Sequence, residues 1–176
     1  LDGFFEGPNK EIDWHNVDAE FNDYAINFLK SLDALLFGRV TYELMAGYWP
    51  SQDALTNDPV VAGLMNGLQK IVCSHSLEKV DWNNSRLLKE NIPEEIRKLK
   101  NQSGKDIAIF GSSDLSLTLI ENDLIDEFSI FVNPVLLGNG KRLFRGLKSK
   151  VNLKLLSTKV FNSGNVLLCY QPLRKG

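Results

Sequence analysis

Leu35-Leu36-Phe37-Gly38-Arg39-Val40-Thr41-Tyr42-Glu43 is the stretch whose reading settles the fold class. With Ala34, its opening residues form a short continuous apolar run, the pattern of a strand buried on both faces rather than one with a wet side. Gly38 lets the chain turn sharply, and residues 41–46 then read as a helix that Thr41 is placed to cap. The same order recurs at Ile107-Ala108-Ile109-Phe110, which breaks at Gly111 and gives way to a helix starting near Ser112 or Ser113 and carrying Leu115, Leu117, Leu119 and Ile120. Between the two, Ile71-Val72-Cys73 is a third buried run, closed by Ser74-His75-Ser76. Strand, glycine and helix occurring twice predict parallel strands joined by crossover helices.

Working outward, Phe21, Tyr24, Ala25, Phe28, Leu29 and Leu32 follow helical spacing, with Asp18 placed to cap the first turn. Residues 59–68 read as a helix after the turn-forming Thr56-Asn57-Asp58, and Pro93 opens a polar helix over 94–102. The region 125–137 is strand-rich, and Gly138-Asn139-Gly140 turns the chain. Residues 153–161 and 166–170 form a hairpin around Asn162-Ser163-Gly164-Asn165. The expected architecture is α/β: a mainly parallel mixed sheet with helices on both faces and a C-terminal antiparallel hairpin.

The chain has 176 residues, 43% apolar and 24% charged, and its 20 basic and 22 acidic side chains leave a net charge of −2. Folding at this length buries roughly 70% of the extended chain's surface, so one domain over residues 1–176 is expected. A composition this balanced supplies no basic field for phosphate neutralisation, which argues against nucleic acid as a partner. The longest uncharged stretch, 160–173, is interrupted by Asn162, Ser163, Gly164, Asn165, Gln171 and Pro172, short of the roughly 18 apolar residues a membrane helix needs. The two cysteines, Cys73 and Cys169, lie among apolar residues and read as free buried thiols, which fits a reducing cytoplasm. The first residue is Leu1, so the chain is expected to begin downstream of its natural start. No metal-ligand spacing or nucleophile elbow occurs.

In open α/β sheets ligands bind beyond the carboxyl ends of the strands, and two such ends here carry glycine, small hydroxyl residues and a helix. At Gly38-Arg39-Val40-Thr41 the arginine can pair bidentately with a phosphate. At Gly111-Ser112-Ser113-Asp114 the helix amides can hold a pyrophosphate. Ser74 and His75 add hydroxyl and imidazole donors. Each element alone is also an ordinary turn or cap; their combination is what carries the reading.

In these elements the sequence resembles the dihydrofolate reductase-like superfamily, in particular the branch of the riboflavin-biosynthesis reductase domain. The resemblance runs in family order through Leu1-Asp2-Gly3-Phe4 with Trp14, the stretch from Leu35 to Glu43, Ile71-Val72-Cys73-Ser74, Ile109 to Leu115, and Pro134 to Gly140 with Leu143-Phe144. It implies a three-layer reductase domain that transfers hydride from NADPH to a small heterocyclic or sugar-linked substrate, and a homodimer. It also implies that Arg39, Ser74 and His75 surround the adenosine 2′-phosphate, and that Gly38, Thr41 and Gly111, Ser112, Ser113, Asp114 and Leu115 lie beside the cofactor phosphates. Asp2, Trp14, Gly138 and Asn139 are implied to border the substrate.

The sequence departs from the family in three places. The family's glycine pair is Gly111-Ser112 here, which puts a Cβ where a pyrophosphate would pass. The family's opening strand has no counterpart here, so it is expected either upstream of Leu1 or not at all, with the sheet then incomplete. The carboxylate that assists protonation has two candidates on the first helix. With Phe21 at zero and the apolar stripe near 10°, Asp23 falls at about 200° and Glu20 at about 260°, so Glu20 on the flank is the candidate acid. The rival reading from a different class is a regulatory module that binds NADP(H) without turnover.

Overall fold

The computed structural model describes residues 1–174. In chain order the elements are β1 (Phe4–Glu6), α1 (Ala19–Lys30), β2 (Leu32–Gly38), α2 (Arg39–Tyr48), α3 (Gln52–Asn57), α4 (Pro59–Gly67), β3 (Gln69–Cys73), β4 (Ser85–Leu88), α5 (Ile92–Lys100), β5 (Asp106–Ile109), α6 (Ser113–Glu121), β6 (Phe128–Val132), β7 (Lys141–Arg142), β8 (Leu153–Val160) and β9 (Val166–Pro172). The fold is the mixed α/β type expected, with a parallel sheet, helices and a C-terminal antiparallel hairpin. The chain divides into two compact units, residues 23–118 and residues 1–22 with 119–176, and each is described by itself.

Residues 23–118 hold a parallel sheet of four strands in the order β4-β3-β2-β5. Its two central strands are covered on both faces, which is why they read as unbroken apolar runs: Leu35, Phe37, Ile71 and Val72 are all fully buried. Phe37 and Val72 join Leu29, Tyr42, Val61, Met65 and Trp82 in one core cluster. Each such side chain contributes about 1.5–3 kcal/mol by leaving water.

Two buried polar residues tie this core to its loops. The Tyr42 hydroxyl accepts hydrogen bonds from the Asp81 and Trp82 backbone N–H groups at 3.1 and 3.0 Å, which explains a tyrosine at that place in the motif. Lys70, on β3, is wholly buried; its Nζ donates to the carbonyls of Met65 and Asn66 at 2.9 and 2.8 Å and stands 4.5 Å from the Trp82 ring centre. It thus places a cation at the C-terminal end of α4, where the helix carbonyls lack partners of their own.

The other unit contains the antiparallel sheet β6-β9-β8 and the two-stranded β1-β7 ribbon. Phe21, Phe131 and Phe161 pack against one another with centroids 5.2–6.3 Å apart. The hairpin turn closes with Phe161 N–H donating to Asn165 O at 2.9 Å, and Gly164 stands at φ +85°, a conformation glycine adopts without strain.

The helix expected from Asp18 is present, with Asp18 Oδ1 accepting the Phe21 N–H at 2.8 Å. α2 differs from its expected form: it begins two residues early, Gly38 is its N-cap without a side-chain bond, and Thr41 does not cap it. Both cysteines are free thiols, Cys73 buried and Cys169 half-buried. Burial pushes the Cys73 thiol up to about 12, so it is inert at neutral pH. No helix among the described residues is long and apolar enough to cross a membrane.

Candidate functional site

The carboxyl ends of β2, β3 and β5 deliver Gly38, Ser74 and Gly111 to one edge of the parallel sheet. Parallel pairing requires this, because neighbouring strands end on the same side. α2 leaves directly from Gly38 and α6 from Ser112, so two helix N-termini open at that edge. The first N–H groups of each have no acceptor within their own helix and carry partial positive charge, the elementary parts of an anion seat.

The two turns are joined by one side chain. Ser112 Oγ accepts the Gly38 N–H at 2.8 Å and donates to Thr41 Oγ1 at 2.8 Å. The side chain whose Cβ was expected in the path of a pyrophosphate thus directs its hydroxyl toward α2. Gly111 and Ser112 both sit in the left-handed region, at φ +55° and +58°. For serine that conformation costs about 1–2 kcal/mol, which the two hydrogen bonds offset. A Cβ on Gly38 would lie 3.2 Å from Ser112 Oγ, so the turn leaves little room for any side chain there.

Ser113 opens α6 and is 2% exposed, and its hydroxyl has no hydrogen-bond partner in the protein. A buried hydroxyl without a partner is costly, and a phosphate oxygen is an acceptor that would satisfy it. Asp114, in the first turn of α6, is exposed. Leu115 is buried and packs toward Gly38.

Arg39 and Ser74 have local partners. Arg39 Nη1 binds both Glu43 oxygens, at 2.9 and 3.2 Å, on the exposed face of α2. That leaves its other guanidinium nitrogens for a ligand. Ser74 is buried, and its Oγ accepts the backbone N–H groups of Ser76 and Leu77 at 3.2 and 3.1 Å, holding the turn after β3. Its hydroxyl also lies 3.4 Å from that of Ser76, a pair in which either oxygen can donate. His75 is exposed.

Three of the residues expected to border substrate come together in the unit that holds β1 and β7. Asp2 Oδ2 accepts the Gly138 N–H at 2.7 Å, and this bond holds the carboxyl below its ordinary value; its other oxygen is buried without a partner. Asn139 follows, with its Oδ1 accepting the Gly140 N–H at 2.8 Å. Trp14 lies in the same unit, its Nε1 donating to Glu11 O at 3.3 Å and its ring edge-on to His15.

Glu20 lies in a setting the helix geometry did not anticipate. Its Oε2 accepts the Asn162 N–H at 2.9 Å and its Oε1 meets Lys159 Nζ at 3.2 Å. The backbone bond first, then the lysine, hold its carboxyl below the usual range, so it is an ionised acceptor at neutral pH rather than a stored proton.

A contact not foreseen from sequence lies nearby. Buried Asn133 presents Oδ1 to the Asn16 N–H at 3.4 Å and to His15 Nδ1 at 3.2 Å. Because that oxygen is an acceptor, Nδ1 carries the hydrogen, and the imidazole is held in one orientation. His15 and Asn133 are 118 residues apart, so no local spacing could have paired them.

The family model described as the RibD C-terminal domain matches residues 1–167. The chain is 37% identical over 170 residues to the uncharacterized protein YyaP of Bacillus subtilis (strain 168), covering 97% of this chain and 89% of YyaP. A solved structure from Shewanella sp. PV-4, assigned to riboflavin biosynthesis, is similar with a TM-score of 0.76 at 23% identity over 99% of this chain and 94% of that one. The Thermotoga maritima diaminohydroxyphosphoribosylaminopyrimidine deaminase/5-amino-6-(5-phosphoribosylamino)uracil reductase is similar with a TM-score of 0.68 at 16% identity, over 98% of this chain and 54% of that one. Dihydrofolate reductase of Enterococcus faecalis, solved with NADP(H), is similar with a TM-score of 0.61 at 17% identity, over 94% and 88%. These structural likenesses carry the fold, and it is the dihydrofolate reductase-like one that the motifs implied.

Proposed function

The chain belongs to the RibD C-terminal domain family, and from that premise we propose that it is an NADPH-dependent reductase acting on a small heterocyclic or sugar-linked substrate. The observation that carries the reading is the pair of glycine-started helices at the carboxyl edge of the parallel sheet, with the unpartnered Ser113 hydroxyl at the start of α6. The first amides of α6 and Ser113 hold the pyrophosphate, and Gly38 and Gly111 keep side chains out of its path. Arg39, with Ser74 and His75, receives the 2′-phosphate through the guanidinium nitrogens that Glu43 leaves unused. The dinucleotide, when bound, supplies the hydride. Asp2, Trp14, Gly138 and Asn139 contact the substrate. Two free thiols support a reducing, cytoplasmic setting.

Fluorescence titration with both cofactors tests this reading. NADPH is expected to bind more tightly than NADH by about 1–3 kcal/mol, the scale of hydrogen bonds to charged groups. Arg39→Ala should remove that difference while leaving NADH affinity unchanged. Equal affinities in the parent, or an Arg39→Ala protein weakened alike for both, would overturn the 2′-phosphate assignment.

Glu20, the candidate acid, has both carboxylate oxygens engaged by the Asn162 N–H and Lys159, which favours a second reading, in which NADP(H) is bound for regulation without turnover. Steady oxidation of NADPH in the presence of any carbonyl or imine compound decides for the reductase. Tight binding with no oxidation across such a panel decides for the module.

A further inference from the structure

Resting on the reading of this edge as a dinucleotide phosphate seat, we propose that Ser112 is a positioning residue that never touches the ligand and instead turns the Thr41 hydroxyl into a donor aimed at a phosphate oxygen. A serine hydroxyl has one hydrogen and can accept others. At Ser112 the oxygen accepts the Gly38 N–H and the single hydrogen goes to Thr41 Oγ1, both at 2.8 Å. Thr41 Oγ1 is thereby an acceptor within the protein, and its own hydrogen must go to a different partner. On a helix that opens at the anion-favouring edge of the sheet, that partner is a phosphate oxygen. The Gly38 N–H, Ser112 hydroxyl and Thr41 hydroxyl form a directed chain in which each bond polarises the next.

The backbone supports the assignment. Ser112 holds φ +58°, where serine is uncommon, and its neighbour Gly111 holds φ +55°. Strain of this kind persists where the surroundings require it, and here it brings Oγ within reach of both turns. The chain also fixes the spacing of the α2 and α6 N-termini before a ligand arrives, which a ligand touching both would otherwise have to do.

The test is a double-mutant cycle read by equilibrium titration of NADPH and NADH. Ser112→Gly keeps the left-handed backbone and removes the hydroxyl; Thr41→Val removes the terminal donor; Thr41→Ser retains it. Thr41→Val is expected to weaken both cofactors by about tenfold and Ser112→Gly by about three- to fivefold, with Thr41→Ser close to the parent. Adding Ser112→Gly to Thr41→Val should weaken binding by less than twofold more, because the residues act in series. A purely structural role for Ser112 would weaken binding equally in both backgrounds, and that outcome overturns the proposal, as does unchanged binding in Ser112→Gly. A parent protein that binds neither cofactor overturns the nucleotide reading itself and this inference with it. If Ser112→Gly does not fold, parent-like binding by Thr41→Val still overturns the chain.

Discussion

Gly111 stands at φ +55°, and a Cβ there would meet Thr41 Oγ1 at 3.5 Å. The space would admit an alanine methyl, but the backbone conformation penalises any side chain, and a β-branched one most. Valine at this position should therefore strain the turn and shift the first amides of α6, on which the proposed nucleotide binding rests. The expected outcome for Gly111→Val is a stability loss of about 2 kcal/mol and a fall of tenfold or more, by about 1.4 kcal/mol per decade, in affinity for NADPH and NADH alike. Arg39→Ala should act on NADPH alone, so the two variants separate the pyrophosphate and 2′-phosphate contributions. Parent-like binding of both cofactors by a folded Gly111→Val protein, checked by circular dichroism and titration, would remove the pyrophosphate site. The turn at Gly111 was legible in the sequence because a glycine set between an apolar run and a helix marks a sharp turn that a side chain would strain. The direction of the Ser112 side chain was not. Its partners Gly38 and Thr41 lie 74 and 71 residues away, and a residue type alone does not say which way a turn will face.

Among the elements, β2 and β3 were legible because full burial leaves a continuous apolar run, and β5 because Ile107-Ala108-Ile109 keeps such a run although half-buried at one sheet edge, whereas β4 has only four residues, Ser85-Arg86-Leu87-Leu88, at the other edge and no period to detect. α3 was not read from the sequence, and only its last two residues fall in the turn-forming Thr56-Asn57-Asp58; its cap, Ser51 accepting the Ala54 N–H at 3.2 Å, is the signal that was present. The least expected packing is that of β3 against α4 through Lys70, whose burial pushes its ammonium down to about 8. An unfolded lysine titrates near 10.4, so between about pH 8 and 10.4 the unfolded chain binds more protons than the folded one. Stability should therefore rise with pH across that window, by roughly 1–3 kcal/mol, the penalty of a buried cation being fully present below pH 8 and relieved above it. Urea unfolding at pH 7.5, 9 and 10 measures the rise. Lys70→Met should abolish the part of it due to this group, because methionine keeps the apolar stem and carries no proton. A parent and variant with the same pH profile would show that Lys70 keeps its ordinary affinity for protons.

At the scale of the whole molecule, the antiparallel sheet has an edge that a monomer leaves bare. All eight residues of β8 are exposed, Leu153, Leu155, Leu156 and Val160 at 40, 49, 44 and 71%, and β9 pairs with only one side of the strand. Leu136, in the strand-rich segment that the sequence marked as apolar, is 71% exposed. An edge of this length presents a row of backbone donors and acceptors, and natural proteins cover or break such edges. Lys154 and Lys159 do so in part, but four large apolar side chains on one strand are more than two lysines screen. We expect a symmetric homodimer that buries the terminal hairpin together with part of residues 128–137, since a two-fold axis lets one self-complementary patch satisfy both copies. Sedimentation equilibrium at micromolar protein should give twice the chain mass. Leu155→Lys places a third cation on the strand, which in a dimer faces its own copies across the axis; it should shift the protein toward monomer and raise the dissociation constant by tenfold or more, about 1.4 kcal/mol. Nucleotide titration of that variant separates assembly from the phosphate seat: unchanged NADPH affinity in the monomer would show that each copy binds on its own. A parent protein that sediments as a monomer at micromolar concentration would sink the dimer, and the exposed leucines of β8 would then need another cover.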